Sequence, residues 1–204
     1  MYIMKQHLSI ILCGLLLLIT SCSDYTKVQK TTDYLYKYET AKQYYAEGQY
    51  NRASLLLQDI VSMLKGTDKG EESLYLMAMA NLKARNYDAA ASYFKKYYQS
   101  YPRGLFAEEA RYNCGKALFM DTPEPKLDQT DTYEAVTEFQ NFLELYPTSR
   151  FREDAQNKIF ELQDKLVEKE YLSAKLYYNL GSYFGNCTSG GSNYQACIVT
   201  AENA

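Results

Sequence analysis

The chain has 204 residues with 22 basic and 25 acidic side chains, a formal net charge of −3, and no basic run that would favour a nucleic-acid partner. Its single histidine, His7, lies near the N-terminus and tryptophan is absent, so the rest of the chain has no histidine for a catalytic relay or a metal site. The glycine-rich phosphate loops and nucleophile turns of common enzymes do not occur, and we expect no enzymatic activity, no cofactor and no metal site.

Residues 1–21 are predicted to be a lipoprotein signal peptide. Lys5 precedes twelve mostly apolar residues, 8–19, which are too few for a membrane span of about 20 residues. The sequence I-T-S-C that ends at Cys22 resembles the bacterial lipobox, in which the cysteine is acylated with diacylglycerol and becomes the first residue after cleavage. We therefore expect Cys22 to be lipidated, the alternative being a secreted protein with an incidental cysteine.

Residues 22–32 are predicted to form a polar, lipidated tether, because they show no hydrophobic period. In other lipoproteins, retention at the inner membrane often depends on an aspartate directly after the cysteine, and here Ser23 holds that position. This favours a lipid-anchored, periplasm-facing location at the outer membrane. Removal of Lys5 with the signal peptide leaves 21 basic and 25 acidic residues, a net charge of −4.

Residues 33–204 are predicted to form a domain of helical repeats. Comparison of the chain with itself at an offset of 37 residues aligns tyrosine with tyrosine and alanine with alanine. A third unit contains Tyr112 and Gly115 and resumes after a proline-containing insertion, and a fourth contains Tyr178 and is expected to be incomplete at Ala204. The aligned pairs of the first two units are Tyr38/Tyr75, Ala41/Ala78, Tyr50/Tyr87 and Ala53/Ala90.

Each unit has the pattern of a helix–turn–helix. The recurring small residues allow paired helices to approach closely, and aromatic residues three or four positions away fill the space between them. Turns are predicted at 47–49 and 84–86, and Pro102 and Pro147 are expected to end the second helices of their units. This is the tetratricopeptide pattern, so the predicted fold class is an all-α tetratricopeptide-repeat superhelix rather than an irregular helical bundle.

The lipobox, the repeats and two longer segments together resemble the BamD (ComL) family of outer-membrane lipoproteins. The segments are "YPRGLFAEEARYNCGKALF" and the region 146–204, which begins "YPTSRFREDAQNKIF". The resemblance implies a non-enzymatic periplasmic scaffold of the β-barrel assembly machinery (the BAM complex), which takes part in the assembly and insertion of β-barrel proteins into the outer membrane. It implies as partners a BamA-like β-barrel insertase, other BAM components, unfolded outer-membrane proteins and, through the lipid anchor, the membrane.

The family normally continues past the position of Ala204. We therefore expect either a fragment or a naturally short relative. In such a chain Ile198 and Val199 would lack cover from a further repeat, so the last unit is expected to self-associate or to be poorly ordered.

The predicted binding residues lie on the first helices of the repeats, which line the concave face of such arrays. Tyrosine rings and ammonium groups suit a peptide that ends in an aromatic residue and a carboxylate, a signal that the resemblance implies for the early repeats. Packing of the equivalent tyrosines between repeats is the alternative, and Tyr178 is expected in the same place in the fourth unit. The predicted set is Tyr38, Lys42, Tyr45, Tyr75, Met79, Tyr112 and Lys116.

Other interpretations stay open. A pilotin-like tetratricopeptide lipoprotein that assists secretin or pilus assembly would carry similar repeats, although the long helix predicted over 151–175 favours the BamD family. Adjacent carboxylates, Glu71-Glu72 and Glu108-Glu109, are interpreted as solvated helix faces, since neighbouring positions on a helix point in different directions. Three cysteines lie beyond Cys22: Cys187 and Cys197 are either bridged or, as we favour, a free loop thiol and a small buried residue, and Cys114 is expected in the core.

Overall fold

The computed structural model describes residues 25–180 and 193–202. This described part contains nine helical segments and no strand, so the predicted all-α fold of tetratricopeptide type is confirmed. None of these helices is long and apolar enough to cross a membrane. The segments are α1 (residues 25–30), α2 (Tyr34–Ala46), α3 (Tyr50–Leu64), α4 (Gly70–Lys83), α5 (Tyr87–Ser100), α6 (Ala107–Asp121), α7 (Thr130–Leu145), α8 (Arg152–Leu180) and α9 (Asn193–Glu202).

The chain folds as two compact units, residues 1–86 and 87–204. In the first unit α3 packs against α2 and α4, and the first helices α2 and α4 also touch each other. In the second unit α6 packs against α5 and α7, α7 packs against α8, and α8 packs against α9. Each unit therefore stacks its helices in chain order, which is the arrangement of helix–turn–helix repeats.

Helices α2 and α3 illustrate why the repeats form. Asp33 caps α2 by accepting a hydrogen bond from the Tyr36 backbone amide at 2.9 Å. The predicted turn after α2 is confirmed, and its Gly48 has a φ of 77°, a left-handed conformation that glycine adopts without a steric penalty. α3 then buries one face at the spacing of an amphipathic helix, formed by Ala53, Leu56, Leu57, Ile60 and Leu64.

The ends of the second helices are also as predicted. α5 ends at Ser100 and α7 ends at Leu145, each two positions before the proline predicted to end it. The second predicted turn, 84–86, separates α4 from α5. Proline and turn signals therefore set the lengths of these helices.

Small residues bring the paired helices close together, as the repeat pattern predicts. A Cβ atom added to Gly115 of α6 would lie 2.9 Å from two ring carbons of Phe139 on α7. Real Cβ contacts essentially never come that close, so an alanine here would force the ring or the helix to move. At the other recurring small positions Ala41, Ala78 and Ala135 are completely buried.

The fourth repeat begins earlier than predicted. α8 is one continuous helix of 29 residues, and its first half buries Ala155, Ile159 and Leu162 in the core of the second unit. The expectation that Tyr178 occupies the place of the other tyrosines is therefore wrong, since Tyr178 lies near the far end of α8 with 64% of its surface exposed. The second half of α8 also buries a residue, Ala174, and is helical like the first, so sequence periodicity alone did not reveal where in α8 the repeat begins.

The segment predicted as a tether is structured from Tyr25 onward. Residues 25–30 form α1, Val28 is buried, and the Tyr25 ring centroid lies 6.0 Å from that of Tyr44 on α2. Only six helical residues are involved, too few to show a period in the sequence. The signal peptide and Cys22 lie outside the described residues.

The cysteines fit the unbridged interpretation as far as they are described. Cys114 is a buried free thiol whose sulfur donates to the Ala91 carbonyl oxygen at 3.5 Å, so its predicted core position is confirmed. Cys197 is a partly buried free thiol on α9, and Cys187 lies outside the described residues. Ile198 and Val199 are each 56% exposed, and the self-association or poor order expected of the last unit stays a prediction.

Candidate functional site

Tyr38 joins the two first helices of the first unit. Its ring is 1% exposed, and its hydroxyl donates a hydrogen bond of 2.6 Å to Oε2 of Glu72 on α4. Glu72 lies in the first turn of α4, where a negative charge is stabilised by the helix dipole. The tyrosine therefore fastens α2 to the start of α4 from a buried position.

Two ammonium groups complete this cluster. Lys42 Nζ lies 2.7 Å from Oε1 of Glu72 and 5.3 Å from the centroid of the Tyr38 ring, while Lys69 Nζ lies 5.0 Å from the same centroid. The hydrogen bond from Lys42, followed by that from Tyr38, lowers the pKa of Glu72 below its usual range. Burial and the hydrogen bond to Glu72 raise the pKa of Tyr38. The phenol therefore stays neutral and the carboxylate ionised.

Tyr112 repeats the arrangement in the second unit. Its hydroxyl donates to Oδ2 of Asp154, which lies in the first turn of α8, and its ring stacks on Phe151 with centroids 4.3 Å apart. Burial first, and then the hydrogen bond to Asp154, raise the pKa of Tyr112. In both units a tyrosine of one first helix bonds an acidic residue at the start of the next first helix.

The rings of Tyr38 and Tyr112 are therefore packing groups in the structure. At 1% and 6% exposure neither ring can stack on a peptide, and the alternative of packing between repeats describes both. This corrects the part of the predicted site that relies on these two rings.

The remaining predicted residues of the first unit share one face. Lys42 and Tyr45 follow Tyr38 by four and seven positions on α2, while Tyr75 and Met79 follow Glu72 by three and seven positions on α4. Because the bond between Tyr38 and Glu72 aligns the two helices, these four partly exposed side chains lie along the same surface. We call Lys42, Tyr45, Tyr75 and Met79 the first-helix surface.

Tyr45 already makes an aromatic contact. Its ring meets that of Tyr50 edge-on at a centroid distance of 5.4 Å, which holds it at the end of α2. Lys116, the last predicted residue, lies on α6 of the second unit and is partly exposed. The first-helix surface thus belongs to the first unit alone.

A buried polar cluster in the second unit was not predicted. Nη1 of Arg111 on α6 lies 3.6 Å from Oε1 of Glu138 on α7, and the guanidinium carbon lies 4.0 Å from the centroid of the Tyr98 ring on α5. Glu138 is buried, and among the described residues its Oε1 has no hydrogen-bond partner. Burial is the main cause of a raised pKa at both Tyr98 and Cys114, and the pKa of Cys114 rises to about 12. The cluster therefore joins α5, α6 and α7.

Three of the four carboxylates interpreted as solvated helix faces bind side chains from other helices or loops. Glu72 holds Tyr38 and Lys42, Glu108 accepts a hydrogen bond of 2.6 Å from the Ser149 hydroxyl, and Glu109 pairs with Arg150 at 3.4 Å. Their partners come from other helices or loops, so no local sequence pattern predicts these contacts. A search for acidic residues at the starts of first helices, about one repeat after each tyrosine, would have found Glu72.

The second half of α8 presents a basic and apolar face. A groove of about 340 Å³ there is lined by Leu172 and Leu176 together with Lys126, Lys169 and Lys175. Lys169 donates to the carbonyl oxygens of Lys126 and Leu127 at 3.2 and 2.8 Å, which fixes the α6–α7 loop to α8.

Metal-ligating side chains do not cluster in the described part of the chain. Residues 25–180 and 193–202 contain no group of three or more His, Cys, Asp or Glu that could hold a metal ion. The described part of the chain combines stacked helical hairpins, a surface with two aromatic rings and one ammonium group, and fixed acid–tyrosine bonds. These features define a class of protein, the helical-repeat interaction scaffold. The chain belongs to the outer membrane lipoprotein family YfiO, whose sequence model matches residues 30–187.

Individual relatives agree with this assignment. The chain is similar to the "Putative outer membrane protein assembly factor BamD" of Aquifex aeolicus, with 31% identity over 176 residues, which are 85% of this chain and 57% of that protein. It is also similar to the "Outer membrane protein assembly factor BamD" of Pasteurella multocida, with 24% identity over 169 residues, 78% of this chain and 65% of the relative. The protein of the same name from Xylella fastidiosa is 24% identical over 187 residues, which are 84% of this chain and 62% of that protein. The chain thus spans about three fifths of the length of these relatives.

Proposed function

We propose that this protein is a non-enzymatic scaffold of the BAM complex that takes part in the assembly and insertion of β-barrel proteins into the outer membrane. The observation that carries the proposal is the match of residues 30–187 to an outer membrane lipoprotein family whose similar members are named assembly factors. The fixed acid–tyrosine bonds support it, because they make each unit a rigid support for binding surfaces.

Attachment to the outer membrane is assigned to Cys22. Two or three acyl chains at one residue anchor a protein far more stably than a single chain does. We expect the Cys22→Ser variant to leave the outer-membrane fraction, whereas the unchanged protein stays in it. Membrane association of the variant equal to that of the unchanged protein would contradict lipidation at Cys22.

Binding of unfolded outer-membrane proteins is assigned to the first-helix surface. Tyr45, Tyr75 and Met79 offer ring and thioether contacts to an aromatic side chain, and Lys42 offers an ammonium group to a C-terminal carboxylate. Because Lys42 already bonds Glu72 at 2.7 Å, the peptide carboxylate would have to share this cation. We therefore expect modest affinity that falls as salt concentration rises.

A peptide that ends in an aromatic residue tests this assignment. Replacing Tyr75 and Lys42 together by alanine should weaken its binding at least tenfold while helicity is kept. The matched control replaces Tyr36, which is 54% exposed, and the exposed Lys65, and it should bind as the unchanged protein does. If the control loses as much affinity as the test variant, the first-helix surface is not the peptide site.

Docking of a BamA-like insertase and other BAM components is assigned to the second half of α8. Five large side chains are exposed there, and the lysines around the groove suit a partner segment with acidic and apolar residues. Affinity purification of the lipidated protein from detergent-solubilised membranes, followed by identification of partners, tests the proposal. Recovery of a secretin or pilus protein instead of a barrel insertase would favour the pilotin-like alternative. The five side chains are Val167, Tyr171, Leu176, Tyr177 and Tyr178.

A further inference from the structure

The position of α1 fixes where the chain enters the first unit. The Tyr25 ring packs beside Tyr44 in the last turn of α2, and the Arg52 guanidinium carbon from the first turn of α3 lies 5.3 Å from the Tyr25 centroid. Val28, one turn further on, is buried. The chain therefore enters at the end of the first unit that carries the α2–α3 turn.

This geometry limits where a lipid on Cys22 can be. Tyr25 lies three positions after Cys22, and an extended chain covers at most about 11 Å over that length. A lipid at Cys22, as assigned above, therefore holds the bilayer surface close to the α2–α3 turn. The inference that follows rests on that assignment.

A basic groove lies at the same end of the unit. It has a volume of about 440 Å³, and its charged lining side chains are Arg52, Lys83 and Arg85, with no acidic residue among those that line it. Lys83 and Arg85 are exposed, while Arg52 also contacts Tyr25 and donates a hydrogen bond of 2.7 Å to Gln49. We call Arg52, Lys83 and Arg85 the basic groove; its charge contrasts with the acidic balance of the whole chain.

The backbone of Arg85 is the second observation. Its φ is 64°, and it is the one non-glycine residue with a positive φ in the described part of the chain. The equivalent position 37 residues earlier is Gly48, with a φ of 77°. A left-handed conformation is costly for a residue with a Cβ atom, and such outliers cluster at functional sites. An arginine thus occupies, in the groove, a position that suits glycine.

We propose that the basic groove binds the phosphate headgroups of the membrane leaflet that holds the lipid of Cys22. An anionic surface attracts cations within about one Debye length, roughly 8 Å at physiological salt, and the short connection to Cys22 brings the groove near that range. Together the anchor and the groove fix which end of the first unit faces the bilayer, so that the lipid and the cations act as two attachment points.

Vesicle binding of the processed chain, residues 22–204 with Cys22→Ser, tests the groove without the lipid. We expect binding to vesicles of phosphatidylcholine with about one third phosphatidylglycerol, little binding to phosphatidylcholine alone, and loss of binding at high salt. The Lys83→Gln and Arg85→Gly variants should each bind about fivefold more weakly. The control Lys65→Gln removes the same charge at the other end of α3, about 20 Å away, and should bind normally.

Two results would overturn the proposal. The first is equal vesicle binding by the unchanged protein and by the Lys83→Gln/Arg85→Gly double variant. The second is binding of an acidic peptide, sensitive to Lys83→Gln, in the absence of vesicle binding, which would make the groove a peptide site. Because Arg85→Gly relieves a strained backbone, its unfolding midpoint should rise, so that weaker binding cannot come from loss of fold. The fractionation of the Cys22→Ser variant tests lipidation separately. The experiments can therefore contradict the lipid anchor and the basic groove independently of each other.

Discussion

The hydroxyl of Tyr38 donates to Glu72, 34 positions further along the chain, and the hydroxyl of Tyr112 donates to Asp154 in the same way, 42 positions on. In both cases the acceptor lies in the first turn of the next first helix, where the helix dipole favours a negative charge. Some of the chain's many tyrosines therefore hold successive repeats together. We call such a bond between a tyrosine and the carboxylate of the next first helix a joint.

Removing one hydroxyl measures the strength of such a joint. Tyr112→Phe should lower the free energy of unfolding by about 1–2 kcal/mol, because a hydrogen bond to a charged group is lost and Asp154 keeps only a distant contact to Lys158. Tyr38→Phe should cost less, since Lys42 still bonds Glu72. Urea unfolding gives both values, and Tyr133→Phe, at an exposed ring, is the control. A control effect as large as that of Tyr112→Phe would contradict this role.

Acid should weaken the joint at Glu72. The pKa of Glu72 is lower in the folded state than its usual value, so its contribution to stability is present above the unfolded pKa of about 4.3 and is lost as pH falls through the folded pKa. We expect Glu72→Gln to make the free energy of unfolding less dependent on pH below about 4.3. Parallel pH profiles for the variant and the unchanged protein would show that the carboxylate contributes nothing.

Gly115 sets the spacing between α6 and α7. Gly115→Ala should destabilise the second unit by about 1–3 kcal/mol, because its Cβ would overlap the Phe139 ring. Thermal unfolding measures the change. Adding Phe139→Leu, which makes room for the new methyl group, should make the double variant more stable than the sum of the two single effects predicts. If the effects of the two substitutions on stability simply add, the strain caused by Gly115→Ala does not come from the Phe139 ring.

The buried pair of Arg111 and Glu138 gives the last prediction. Arg111→Met should cost about 3–5 kcal/mol, because it leaves a buried carboxylate without its cation. Arg111→Met combined with Glu138→Leu should recover most of that loss, since neither charge then remains buried. The exposed pair of Lys95 and Glu134 is the control, and Lys95→Met should cost under about 1 kcal/mol. Chemical unfolding of the unchanged protein, of Arg111→Met, of the double variant and of Lys95→Met gives the free energies of unfolding to be compared.

The sequence was informative where the determinants are local. Proline positions and the spacing of small residues predicted the ends of α5 and α7 and the close approach at Gly115, because these depend on neighbouring residues or on one helix face. The partners of Tyr38 and Tyr112 depend on how one repeat stacks on the next, which no local pattern contains. For the same reason two of the rings predicted to bind a peptide, those of Tyr38 and Tyr112, were found buried.

The packing of α1 also has a mechanical consequence. If Cys22 carries a lipid, as proposed, a force on that lipid passes through Tyr25 and Val28 into the first unit, because α1 is packed against it. An unpacked segment in place of α1 would first be extended by the same force. We expect these six helical residues to unfold before the repeats do, because a short terminal helix has a low free energy of local unfolding. Their release would lengthen the connection between lipid and fold from about 11 Å to about 37 Å, measured to Asp33. Above a threshold force, unfolding of α1 would therefore lengthen the connection between the lipid and the first unit. The folded repeats could then move away from the bilayer surface while the lipid stays in it.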